Sequence, residues 1–387
     1  MRVIIAPDKF KGSLEAAEVA AEVAAGLAAG GLVAEVHTVP MADGGEGTVD
    51  AALGAGYRPQ VVEVSGPLGN RVHATIAIDE QTATAVIEMA AASGLGVLPT
   101  DDSGVVRRDA LAASSRGTGE LITAALDAGC RRIVLGVGGS ANTDGGAGLI
   151  SALGVRLLDA QGRPVPPGGG GLTELVTADV SQLDPRIADT EVVLAADVTN
   201  PLLGPSGAAA VFGPQKGASA ADVAVLDDNL ATLVGALSDA LGPTAREIAD
   251  APGAGAAGGV GYAALAVLGA VRRPGIDVVI DLVGLAGLVE GADVVITGEG
   301  SLDGQSLGGK TPLGVASLAR QHDVATVLAV CGRTTLDSTE RQTAGFDRVW
   351  ALTDIESDVS RCMTEAAPLL HRLGTDIATY LRDQQGA

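Results

Sequence analysis

The sequence predicts an α/β protein of two α/β domains, one built around a parallel sheet and the second inserted into it. Short apolar runs alternate with Ala-rich stretches of helical length, the pattern of strands joined by helical crossovers. The chain has 387 residues, about twice the usual domain size. Between residues 60 and 90 the alternation gives way to strand-like runs linked only by short turns.

Taken in order, the buried-strand runs are residues 2–6, 33–39, 132–137, 191–195, 277–282, 292–297, 324–330 and 347–352. Helical stretches lie between many of them, at Leu14–Leu27, Gly117–Ala128, Ala221–Leu241 and Pro312–His322. The exception is Val61–Val64, Val72–Ile78 and Ala83–Met89, which reads as an antiparallel meander and as the entry into the inserted domain. The return is expected near Arg272-Arg273-Pro274-Gly275, which gives a discontinuous domain of residues 1–60 and 275–387 around an insert of 61–274. Apolar residues make up 47% of the chain and aromatics only 2%, so the core must be aliphatic.

A net charge of −22 argues against nucleic acid or an anionic membrane surface as partner, since both need clustered Lys and Arg. A small anionic substrate needs only local cations. Cys130, Cys331 and Cys362 are odd in number and far apart, which fits neither a disulfide framework nor a zinc cluster; a reducing cytoplasm is expected. No run of apolar residues is long enough to span a membrane.

Of the 25 basic residues only four are lysines, and all four fall in glycine-rich turns: Lys9 and Lys11 in Asp8-Lys-Phe-Lys-Gly-Ser13, Lys216 in Gly213-Pro-Gln-Lys-Gly217, and Lys310 in Gly308-Gly-Lys-Thr311. The first segment follows a strand and precedes a helix that Ser13 is placed to cap, where an anion could bind. Asp43 and Glu46 stand among glycines after the second strand and could bind a metal or orient a hydroxyl. Gly138, Gly139 and Ser140 follow a strand and keep the chain in a loop up to Gly146, which suits a nest of backbone N–H groups around a phosphate, with Asp144 near its metal. The dinucleotide reading of that glycine string fails because the helix would have to begin within the glycines. Asp197 ends a strand, with Asn200 and then Lys216 beyond it, and is the leading candidate for base or metal ligand. Residues 304–311 match the P-loop pattern by letter, but they do not come straight off a strand and Pro312 follows at once. Gly298, Gly300 and Lys310 remain candidate phosphate contacts, and Glu299 and Asp303 candidate metal ligands.

These segments, in this order, resemble the type I glycerate kinases of bacteria, those similar to the glycerate 2-kinases. The matching stretches are Ala6–Ser13, Ala42–Thr48, Gly138–Gly148, Asp197–Gly204, Gly213–Gly217, Pro252–Gly259 and Thr297–Gly300 through Gly309-Lys310, essentially the whole chain. Two departures are Lys9, where many relatives carry Ser, and the order Ser140-Ala-Asn-Thr143. The resemblance implies a flavodoxin-like domain formed by both chain ends, a distinct inserted α/β domain, ATP as donor, Mg2+ as cofactor, and D-glycerate phosphorylated to 2-phosphoglycerate. The lysines would share the substrate carboxylate and the ATP phosphates, with Asp197 as base or magnesium ligand and Asp43, Asp144, Glu299 and Asp303 as the competing acids. Phosphorylation at the 3-hydroxyl, a non-catalytic nucleotide or sugar-acid sensor, and a dinucleotide-dependent oxidoreductase are the alternatives that an assay must separate.

Overall fold

The computed structural model describes residues 1–101, 103–304, 306 and 310–385. Its strands are, in chain order, β1 (Arg2–Pro7), β2 (Glu35–Thr38), β3 (Arg58–Ser65), β4 (Arg71–Asp79), β5 (Thr84–Glu88), β6 (Arg132–Gly136) and β7 (Arg156–Leu158). They continue as β8 (Thr177–Asp179), β9 (Glu191–Ala195), β10 (Val271–Arg273), β11 (Val294–Leu302), β12 (Thr326–Thr334) and β13 (Arg348–Ala351). The chain falls into two compact units. One comprises Met1–Asp43, Asp50–Ala55 and Pro274–Ala387, and the other Gly44–Val49 and Gly56–Arg273.

The first unit is built on a five-stranded sheet of order β13-β12-β11-β1-β2 in which every pairing is parallel. Counted within the unit this is 2-1-3-4-5, the flavodoxin-like order, which places ligands beyond the carboxyl ends of the strands. Both faces are covered, so the strands are apolar at successive positions instead of alternating with polar residues. In β1, Val3 and Ile5 enter one core while Ile4 and Ala6 enter the other. The helices Ala16–Ala29 and Ala366–Gln385 lie on the first face, and Gly275–Leu282 and Thr311–Gln321 on the second.

The second unit carries a six-stranded sheet of order β10-β9-β6-β5-β4-β3 and a small β7-β8 hairpin. Strands β5, β6, β9 and β10 are parallel, whereas β3 and β4 run antiparallel as the expected meander. Its core is aliphatic, with Tyr262 the largest fully buried side chain. No described helix is long and apolar enough to cross a membrane.

Three local readings are corrected. Residues 277–282 are not a strand but part of the helix Gly275–Leu282, which starts after Pro274 and buries Ile276, Val278, Val279 and Ile280; a short β-branched run fits either period. Ser13 does not cap the first helix. The turn closed by Phe10 and Leu14 delays the helix to Ala16, with Glu15 at its cap, and the Ser13 hydroxyl donates instead to the Met363 carbonyl at 2.5 Å. Finally, β11 runs on to Leu302 because it stays paired with β12, so Gly298, Glu299 and Gly300 lie on the strand itself.

Candidate active site

In the first unit the chemistry gathers at the carboxyl ends of β1 and β11. Asp8 follows β1 directly. One carboxylate oxygen accepts the Lys9 amide and the other accepts the Thr311 hydroxyl, each at 2.7 Å. Thr311 is fully buried and opens the helix Thr311–Gln321, with Lys310 at its N-cap and Pro312 in its first turn, an arrangement that leaves backbone N–H groups and the positive dipole end available to an anion. Burial, with Asp43 and then Glu299 adding negative charge nearby, lifts Asp8 from 3.8 to about 7 against the pull of Thr311 and the Lys9 amide. Glu299 is 9% exposed and also raised, first by burial and further by Asp303 and Asp43, while the Ser306 hydroxyl and the Lys310 charge oppose the shift. Its Oε1 is buried without a hydrogen-bond partner. Asp303 accepts from the Ser301 hydroxyl at 3.2 Å.

Crowded carboxylates with raised affinity for protons are a place for a cation. Among the described residues no three His, Cys, Asp or Glu side chains form a metal cage. Magnesium does not require one, since it is held through one or two carboxylates together with phosphate oxygens and water.

In the second unit the carboxyl ends of β5, β6, β9 and β10 present Glu88, the Gly138–Ser140 loop, Asp197 and the Arg272-Arg273 pair. Glu88 Oε1 accepts the backbone amides of Gly47 at 2.9 Å and Val49 at 2.7 Å, fixing the glycine segment in front of β5. Behind Ser140 the loop turns inward. Asp144 is fully buried and accepts five hydrogen bonds: from the Ser115 amide (2.8 Å) and hydroxyl (2.9 Å), the Asn142 side-chain amide (2.8 Å), and the amides of Gly146 and Gly148 (3.1 Å each). Lys216 is only 2% exposed, and its Nζ donates to the Asn142 carbonyl at 2.5 Å. Burial lowers it from 10.5 to about 7, with Asp144 opposing the shift. A kinked segment closes the loop from another side: Ala257, Gly258 and Gly259 all have positive φ, and the Gly145 amide donates to the Gly258 carbonyl at 2.9 Å. Asp197 is exposed just past β9, and the Asn200 side-chain amide donates to the Ser206 carbonyl at 2.8 Å.

The model of the glycerate kinase family matches residues 3–382 of this chain. The chain belongs to the glycerate kinase family. It is 45% identical over 384 residues to a glycerate kinase of Bacillus subtilis, covering 99% of this chain and 98% of that one. To the glycerate 2-kinase of Escherichia coli it is 42% identical, covering 98% of each. A crystal structure from Salmonella typhimurium LT2, of a protein assigned as glycerate kinase 2, is 41% identical and superposes with a TM-score of 0.86 over 100% of both chains.

For this family member the fold brings Asp43, Gly298, Glu299, Gly300, Asp303 and Lys310 to the same sheet edge as Asp8, with Lys9 next in the chain. Lys11 is exposed on the turn that follows, and Gly300 lies against it, since a Cβ there would sit 3.4 Å from the Lys11 amide. Ser13 is engaged elsewhere, by Met363. Gly138, Gly139, Ser140 and Asp197 lie at the strand edge of the second unit, whereas Asp144 and Lys216 are turned into its interior. Gly308 and Gly309, part of the glycine motif before Lys310, lie outside the described residues. Two groups escaped the sequence reading as site residues. Asp8 could have been found as the acid directly beyond the first strand, and Glu88 as the single carboxylate closing an apolar strand run.

Proposed function

We propose that this chain transfers the γ-phosphoryl group of ATP to the 2-hydroxyl of D-glycerate, giving 2-phosphoglycerate. The observation that carries the reading is the end-to-end match to glycerate kinases, with 98% of both chains covered in the case of the E. coli glycerate 2-kinase. The acid cluster around Asp8 supports it, because phosphoryl transfer asks a protein for charge and position more than for covalent chemistry.

Asp8, Asp43 and Glu299 are the residues that would hold Mg2+ through one or two carboxylates. When bound, that ion neutralises charge on the phosphates. Lys310 and the helix N-terminus behind it bind phosphate oxygens, and Lys9 and Lys11 add charge to the same anion. Asp197, exposed beyond β9, takes the proton of the acceptor hydroxyl. Asp144 anchors its loop instead of reaching a metal, since five donors already occupy its carboxylate. Lys216, sealed behind the loop, acts on the reaction through Asn142 and not by touching phosphate.

Incubation with ATP, Mg2+ and a panel of hydroxy acids should release ADP with D-glycerate. Enolase added directly to the product mixture should then form phosphoenolpyruvate with no mutase present. Phosphoenolpyruvate that appears only after phosphoglycerate mutase is added assigns the 3-hydroxyl instead, and no glycerate-dependent ADP overturns the kinase reading.

A further inference from the structure

We infer that Arg272 is the residue that recognises the carboxylate of the hydroxy-acid substrate; the inference rests on the proposed function and names a specificity determinant for it.

The chain carries 47 acidic residues against 25 basic ones, and many arginines find a carboxylate among the described residues, as do Arg58, Arg116, Arg156, Arg163, Arg186 and Arg361. Arg272 does not. The only hydrogen bond of its side chain among the described residues runs from a terminal nitrogen to the carbonyl of Asp197, at a long 3.4 Å, and its Nε is buried without an acceptor. A guanidinium is charged at any pH the protein meets, so a part-buried one without a counter-charge is costly until an anion completes it.

The neighbouring backbone is shaped around this side chain. Gly253 has φ +89, a conformation that favours glycine, and a Cβ there would lie 2.7 Å from the Arg272 Cδ and 3.1 Å from its Nε. Removing Cβ at Gly253 is what lets the arginine stem pass under the Pro252–Gly259 loop toward the end of β9. On the other side the side chain reaches the Asp197 loop, where the proposed base stands.

That neighbourhood selects the ligand. In a 2-hydroxy acid the reacting hydroxyl and the carboxylate sit on adjacent carbons, so the group that takes the proton and the group that holds the carboxylate must be neighbours. A planar guanidinium matches a carboxylate with two parallel hydrogen bonds.

The test is steady-state kinetics of Arg272→Gln and Arg272→Lys with D-glycerate, with ATP varied separately, and with glycerol as an acceptor that lacks the carboxylate. For Arg272→Gln we expect the KM for glycerate to rise roughly 10- to 100-fold, the KM for ATP to hold, and the preference for glycerate over glycerol to collapse. Arg272→Lys keeps the charge but loses the fork, and should show a smaller rise of the same kind. It carries the test if Arg272→Gln does not fold. An unchanged KM for glycerate in a folded variant overturns the assignment, and so does a rise in the KM for ATP in its place. A wild-type protein that releases no ADP with glycerate fails the proposed function itself, a different result from a variant that behaves like wild type.

Discussion

Lys216→Met removes a buried amino group while keeping the length and apolar character of the stem. In the folded chain burial brings this lysine from 10.5 to about 7. The unfolded chain therefore binds a proton that the folded chain lacks over that whole window. A depressed lysine costs stability in full below about pH 7, and the cost fades as pH climbs toward the unfolded value. Methionine has no such term, so the stability of wild type minus that of the variant must increase with pH by about 1.4 kcal/mol per unit, or about 3 kcal/mol between pH 7.5 and 9.5. Urea unfolding of both proteins at several pH values in that range measures the difference directly. A flat difference would refute the argument, because it would mean that the Lys216 ammonium is solvated in the folded chain and free to meet ligands. The alkaline end should also show the Met variant as the weaker protein, since it has lost the hydrogen bond to the Asn142 carbonyl without a charge penalty to offset.

Two further outcomes follow from the geometry. Asp8→Asn should cut kcat/KM by about tenfold or more yet stabilise the chain at pH 8: a carboxyl raised to about 7 lends its stability below the ordinary 3.8 and loses it as pH rises through 7. Melting curves and rates at pH 8 check both halves, and a destabilised Asp8→Asn contradicts the raised value. Gly258→Ala would place a Cβ 2.1 Å from the Asn142 carbonyl at a residue with φ +66, so about 2 kcal/mol or more should be lost, seen as a fall in Tm of several degrees; an unchanged Tm would show that the kinked segment yields without cost.

What the sequence made legible was whatever burial on two sides imprints on composition. The run Val3-Ile-Ile-Ala6 announces a strand because alternate residues enter different cores, and the β3–β4–β5 meander shows itself by its short turns. Where one short apolar run serves either period, as in Val278-Val-Ile280, only packing decides, and here it formed a helix. The site was legible as a set of loops but not as directions. A glycine turn with a lysine or an aspartate looks the same whether the side chain points to solvent or inward, so Lys216 and Asp144 read like ligand contacts, whereas in the structure Lys216 donates to the Asn142 carbonyl and Asp144 accepts from Ser115 and from its own loop. Asp8 stands between the first strand and Lys9, yet what sets it apart is its burial beside Asp43 and Glu299, with a hydroxyl donated by Thr311 some three hundred positions away.

The short segment Gly44–Val49 belongs to the second unit although the chain on either side of it belongs to the first. Its amides at Gly47 and Val49 are the donors held by Glu88. Dissection for expression is constrained accordingly. A fragment cut at Gly56 and Arg273, the natural choice for isolating the inserted half, would leave behind the strip that satisfies the carboxylate at the end of β5. A workable half-protein must carry residues 44–49 along, grafted ahead of β3, or replace Glu88 with a residue that needs no donors.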